Sequence, residues 1–262
     1  MDLGLKDRVA LVGAASRGLG FAAAQALARE GARVALCARG EQVHQAAEAL
    51  RRETGAPVLA VQADLTRPAD VDRLIQATLA EFGGLDILVA NAGGPPPGPF
   101  LALTPDDWQR AFDQVVMSTV RLCAAAIPHL IARGGGSIVA SQSYSVKQPV
   151  EHLTLSNALR LAVIGLMKSL AAELGPQGIR VNTVNPGWTL TERVETLMAD
   201  RAARSGRTPE EEAARLTAEI PLGRMATAQE YGRAVAWLAS PAASYIHGHA
   251  LFVDGGIIRT PL

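Results

Sequence analysis

Residues 141–160 gather most of the side chains in this chain that could do chemistry. Ser143, Tyr144 and Lys147 fall within one short stretch, Glu151 and His152 follow, and Ser156 and Arg160 stand four residues apart. A serine hydroxyl can hold a carbonyl oxygen, and a phenol or an ammonium can hand it a proton. A well-placed donor of that kind contributes about 10²–10⁴-fold to a reaction that would otherwise leave an alkoxide. Lys147 is the sharper donor candidate, because partial desolvation brings an amine toward neutrality. Tyr144 is the other, with packing as its plainer reading. His152 has a suitable ordinary pKa, and Glu151 reads most simply as an acid at a helix start. Ser156 is a short and weak acid, while Arg160 holds a positive charge without releasing a proton.

A second group of residues suits a phosphorylated ligand. Gly13, Ser16, Arg17, Gly18, Leu19 and Gly20 lie between an apolar run and a helical one. Glycines there permit a tight turn and close backbone approach to a pyrophosphate, whose charge the helix N-terminus favours. In that position the glycines read as a dinucleotide-binding turn. A site selecting NAD needs a carboxylate at the end of the second strand, to accept from the ribose 2′-hydroxyl. This chain has Ala38 and Arg39 there, and Ser16 with Arg17 inside the turn. Two guanidinium groups converging on one ribose would pair with a 2′-phosphate, so NADP(H) is expected ahead of NAD(H).

The elements that must position these residues alternate along the whole chain. Apolar runs at 8–12, 33–37, 58–62, 87–90, 137–141, 180–185 and 250–253 are predicted strands, most of them apolar throughout, as parallel strands covered on both faces are. Helices are predicted over 18–30, 41–54, 68–82, 105–133, 155–174 and 228–239. Thr104, Pro105 and Asp107 supply an N-cap, a proline at the first helical position and an acid at the third. The alternation predicts an α/β fold, a Rossmann-type doubly wound parallel sheet of about seven strands. With no repeat or linker, one domain over 1–262 is expected. Two segments break the rhythm: a stiff Gly/Pro loop at 93–99, beyond a strand's C-terminal end where such sheets bind ligands, and a polar helical insertion at 188–221 that reads as a substrate lid.

Gly13, Gly18 and Gly20 are spaced G-x-x-x-x-G-x-G, and with this turn the chain resembles the short-chain dehydrogenase/reductase family over nearly its full length, the 3-oxoacyl-carrier-protein reductase branch in particular. Asp64 and Leu65 resemble the family's adenine contact. Asn91, Ala92 and Gly93 resemble its N-N-A-G, with Ala90 at the first position. Pro186, Gly187, Thr189 and Thr191 resemble the stretch contacting the nicotinamide carboxamide, and Asp254-Gly255-Gly256 resembles the C-terminal signature. Val12 stands where threonine is common, a hydroxyl lost from turn support. The resemblance implies hydride transfer assisted by a tyrosine, a lysine four residues later, a serine and an asparagine. Of these only the serine, Ser143, is kept: the tyrosine position is Ser156, the lysine position Arg160 and the asparagine position Val115. Arg160 could still grip the ribose. The resemblance also implies a homodimer or homotetramer through the two long helices, and small Ala-rich stretches there permit close packing.

Composition narrows the classes. Among 262 residues, 25 Lys and Arg balance 25 Asp and Glu, so no net field draws the chain to nucleic acid or anionic membrane. No apolar run approaches the roughly 20 residues of a membrane span, and the N-terminus does not read as a signal peptide; a cytoplasmic location is expected. Cys37 and Cys123 read as reduced, buried hydrophobes without metal-ligand spacing. The leading expectation is an NADP(H)-dependent carbonyl or alcohol oxidoreductase with a non-standard proton donor, using Ser143, Tyr144, Lys147 and Ser156. The alternatives are a non-catalytic NADP(H)-binding sensor or assembly subunit, and a dehydration or isomerisation on the same scaffold.

Overall fold

The computed structural model describes residues 2–260. Among these, seven strands form one parallel sheet in the order β3-β2-β1-β4-β5-β6-β7. They are β1 (Val9–Val12), β2 (Arg33–Ala38), β3 (Val58–Gln62), β4 (Ile87–Ala90), β5 (Gly136–Ser141), β6 (Ile179–Pro186) and β7 (Ala250–Val253). Leu11 of β1 pairs with Ala35 of β2 on one side and with Leu88 of β4 on the other. The chain therefore reverses direction across the sheet at β1, opening a crevice beyond the carboxyl ends of β1 and β4.

Both sheet faces are covered, which is why the central strands are apolar at successive positions rather than alternate ones. Helices α1 (Gly18–Arg29) and α2 (Gln42–Thr54) cover one face with a late helix, Ala228–Ala239, burying Leu27, Leu50, Tyr231 and Val235. Helix α3 (Pro68–Phe82) covers the other face together with Ser118–Ala132 and Thr154–Leu174, burying Leu74, Leu122, Val163 and Met167.

The predicted helix over 105–133 is not one α-helix. Helix α4 (Pro105–Phe112) starts at the expected capping box on Thr104 and Asp107, then a π-helical turn, Asp113–Met117, separates it from α5 (Ser118–Ala132). The wider turn displaces backbone bonds, and side chains repair it: the Ser118 hydroxyl donates to the Gln114 carbonyl and the Thr119 hydroxyl to that of Val115 at 3.0 Å. The expectation that nothing is long and apolar enough to span a bilayer is also corrected. Pro105–Ala132 passes by length and composition. Its apolar side is used within the fold, against α3, β4 and β5.

Helix α6 (Thr154–Leu174) begins after a loop that Asn157 fastens, its amide donating to the Val150 carbonyl at 2.9 Å and accepting from the Val150 N–H at 3.1 Å. The insertion after β6 folds as α7 (Glu192–Ser205) and α8 (Pro209–Glu219), capped by Thr191 and Thr208, ahead of α9 (Ala228–Ala239). A third apolar cluster lies under it: Tyr144, Val150, Trp188, Leu197, Met198, Leu216 and Ile220 among its members.

Candidate active site

A cavity of about 790 Å³ lies beyond the carboxyl ends of strands β1 to β6. Every residue expected to hold the cofactor lines it except Gly13. Gly13 sits directly behind the wall, where a Cβ would fall 2.3 Å from the Asn91 carbonyl oxygen; the Asn91 amide donates to the Gly13 carbonyl at 3.0 Å. That contact locks the glycine turn to the end of β4. Helix α1 has no capping side chain and no acid in its first turn. Its first amides, at Gly18, Leu19 and Gly20, open on the cavity, the arrangement that receives a pyrophosphate. Asp64 is held by the Thr66 N–H and hydroxyl through one carboxylate oxygen. Arg39 is exposed at the cavity rim, and Arg17 forms an ion pair with Glu192 of α7 across it.

At the other end, the structure brings Ser143, Tyr144, Ser156 and Arg160 to one wall. Ser143 is extended at the end of β5, and its hydroxyl accepts from the Ser145 N–H at 3.1 Å, capping a single 3₁₀ turn, Tyr144–Val146. Arg160 is buried, and all its partners are neutral. Its Nε donates to Ser156 Oγ at 3.0 Å, one terminal nitrogen donates to the Gly93 carbonyl at 2.9 Å, and the other lies 3.4 Å from the Ser141 carbonyl. Burial, with Arg193 nearby, pulls its pKa down to about 10, which still leaves it charged near neutral pH. Ser156 Oγ is also 3.3 Å from Ser145 Oγ.

Lys147 is not at this wall. It is exposed, does not line the cavity, and lies on a surface stretch with Gln148 and Pro149. Burying an ammonium without a carboxylate partner is costly, and in solvent that cost is avoided. Tyr144 is buried against Trp188, edge to face with ring centroids 6.2 Å apart, and burial pushes its phenol up to about 12. It is a neutral wall and a poorer acid than a free tyrosine. His152 sits at φ +59° with Glu151 3.4 Å away, its Nδ1 buried without a partner, and neither residue lines the cavity. Val115 is buried in the π-turn and offers the cavity nothing polar.

The lining residues that were not foreseen include Gln114, Ser118, Gln142 and Arg193. The π-turn delivers Gln114, whose amide donates to the carbonyls of Ala92 and Gly94 at 3.1 and 3.3 Å and so holds the loop after β4. Adjacent hydroxyls at 118 and 119, poor choices for a helix interior, were the signal of that turn. Arg193 at the start of α7 donates to the Pro95 carbonyl.

A family model described as enoyl-(acyl carrier protein) reductase matches residues 13–258. Cis-4-hydroxycyclohexanecarboxylate dehydrogenase of Sinomonas cyclohexanicum is 37% identical over 252 residues, 95% of this chain and 96% of that protein. The chain belongs to the short-chain dehydrogenase/reductase family. Another member, 3-oxoacyl-[acyl-carrier-protein] reductase of Escherichia coli strain K12, is 33% identical over 97% of this chain and 99% of its own length. The solved L-sorbose reductase from Gluconobacter frateurii, complexed with NADPH and L-sorbose, superposes with a TM-score of 0.94 at 34% identity, covering 99% of this chain and 100% of that one. This short-chain dehydrogenase/reductase is an oxidoreductase by family.

Proposed function

We propose that the protein is an NADP(H)-dependent oxidoreductase acting on a small carbonyl or alcohol, in which Ser156 backed by Arg160 serves where relatives use a tyrosine and a lysine. NADPH, when bound, supplies the hydride, and NADP⁺ accepts it in the reverse direction. The cofactor reading rests on the uncapped α1 amides, the Arg17 and Arg39 pair without a strand-end acid, and the NADPH complex of the L-sorbose reductase.

The observation that carries the chemistry is the bond from Arg160 Nε to Ser156 Oγ. Because the Ser156 oxygen accepts from a guanidinium, its own proton is directed elsewhere, toward Ser145 or into the cavity. A substrate oxygen placed beside Ser156 and Ser143 would accept from both hydroxyls. As negative charge grows on it, the cation behind Ser156 stabilises that charge with no reorganisation. Ser156 then gives its proton to the alkoxide and takes one back from water entering the cavity that it lines. Tyr144 and Trp188 form the apolar side, and α7 with α8 closes over it as a lid. A hydroxycyclohexanecarboxylate, the substrate in the name of one relative, has the size and mixed polarity such a wall accepts.

A cytoplasmic location fits two free, buried cysteines. Exposed Phe112, Ile131 and Leu161 on α4, α5 and α6 suit a homodimer or homotetramer through those helices.

The test is NADPH consumption with a panel of cyclic and linear ketones, comparing the native protein with Ser156→Ala. Turnover that collapses in the variant upholds the reading. NADPH binding without turnover on any ketone, combined with activity created by Ser156→Tyr/Arg160→Lys, would replace it with a non-catalytic NADP(H)-binding protein.

A further inference from the structure

We propose that Arg160 and Arg193 form a clamp for a carboxylate on the substrate, so that the substrate is an anionic oxo- or hydroxyacid rather than a neutral ketone or alcohol. This rests on the reductase reading above and names its substrate class.

Both guanidinium groups approach one point. A Cβ built on Gly94 would lie 3.4 Å from a terminal nitrogen of Arg160 and 3.6 Å from two nitrogens of Arg193. With glycine at 94 no side chain covers the two guanidinium groups, and both face the cavity beside the loop between the cofactor crevice and the lid. Neither cation is neutralised there. Every partner of Arg160 is a carbonyl, an amide oxygen or a hydroxyl. Arg193 donates to the Pro95 carbonyl, and the acid that bears on it, Asp200, acts only through space. Two like charges brought together beside a cavity, with burial lowering the pKa of each, are held against their mutual repulsion until an anion arrives. Arg193 is also the second residue of α7, the end of a helix where a cation is disfavoured.

The anion is the substrate's rather than the cofactor's because the phosphates have other seats. Successive residues of the first turn of α7 face opposite ways: Glu192 pairs with Arg17 on the side of the glycine turn, while Arg193 reaches Pro95 on the β4 loop. A carboxylate beside Gly94 would receive the remaining N–H of one Arg160 terminal nitrogen on one side and N–H donors of the Arg193 guanidinium on the other, a division of donors that a guanidinium permits and an ammonium does not. That gives the lysine position a reason to be arginine: one guanidinium backs Ser156 through Nε and reaches toward the anion through a terminal nitrogen.

The experiment uses matched pairs: pyruvate, acetoacetate and levulinate, each beside its methyl ester, with NADPH and with either the native protein or Arg193→Met. Arg193 is solvent-accessible, so the variant keeps the fold. The expected result is a carboxylate preferred over its ester by at least about tenfold in kcat/KM in one or more pairs, equivalent to about 1.4 kcal/mol. In Arg193→Met that ratio should fall toward one, while the NADPH dissociation constant moves less than about threefold, below about 0.7 kcal/mol. Equal use of esters and acids overturns the proposal, as does a preference that survives the variant. So does a variant whose main defect is NADPH affinity, which would assign the anion to the cofactor. If nothing is turned over although NADPH binds, the reductase reading fails separately. Calorimetry on the NADP⁺-loaded protein then decides the clamp: heat from a carboxylate but not from its ester upholds it, and no heat from either overturns it.

Discussion

At the scale of single residues, the cofactor end and the chemical end of the cavity obey different rules. Phosphate binding is done by backbone and by charge, so substitutions should act on affinity. Removing the Arg39 guanidinium in Arg39→Ala should weaken NADPH by about 10–100-fold, one charged hydrogen bond's worth, and leave NADH nearly unmoved; fluorescence titration with both nucleotides checks this. Ser156→Ala should instead lower kcat by roughly 10²-fold, the loss that follows removal of one oxyanion donor, with little change in nucleotide binding. The glycine turn and the Ser143, Ser156 and Arg160 positions were legible in the sequence because each is tied to a local motif at fixed spacing. Lys147 was misplaced because spacing says a residue is near and not which way it points: beyond the 3₁₀ turn at Tyr144 the chain runs out to solvent. Arg193 was missed for a similar reason, since its reach to Pro95 joins residues 98 apart.

At the scale of elements, the strands were legible to within a residue or two because full burial on both faces leaves apolar runs with little ambiguity. The long helix over 105–133 was legible in extent but not in kind. Apolar periodicity carries across a π-turn with only a small phase slip, and the turn is betrayed by Ser118 and Thr119, which repair its carbonyls. Close packing between helices is equally hidden. Gly232 of α9 lies so near α1 that a Cβ there would fall 2.3 Å from the Ala22 carbonyl oxygen, backbone that cannot move aside. Gly232→Val should therefore cost about 1–3 kcal/mol by overpacking, read as a lower urea midpoint with an unchanged slope. Because the first amides of α1 are the ones proposed to receive the pyrophosphate, the same variant should also weaken NADPH.

For the whole molecule, four buried acids set a limit on alkaline stability. Burial raises the thiols of Cys37 and Cys123 from 9.0 to about 12, and the phenols of Tyr144 and Tyr231 from 10.0 to about 12. Between those values the unfolded chain has released protons that the folded one still holds, so stability falls as pH rises. It should be full below about pH 9 and be lost progressively toward pH 12. Cys37→Ala/Cys123→Ala should delay the onset to about pH 10 in a series of Tm measurements, and a decline with unchanged onset would implicate other groups. The cluster of Trp188, Leu197, Met198 and Leu216 shares no member with the two clusters that sandwich the sheet. On the proposed reading of the insertion as a lid, foldedness and selectivity fall to different side chains. Drift at Trp188, Val194 or Leu197, the side chains of that cluster on the cavity wall, should explore new substrates while the framework stays intact, and a library confined to those positions should widen the range of compounds accepted with Tm nearly constant. In this chain the freedom to evolve is built into where the apolar atoms lie.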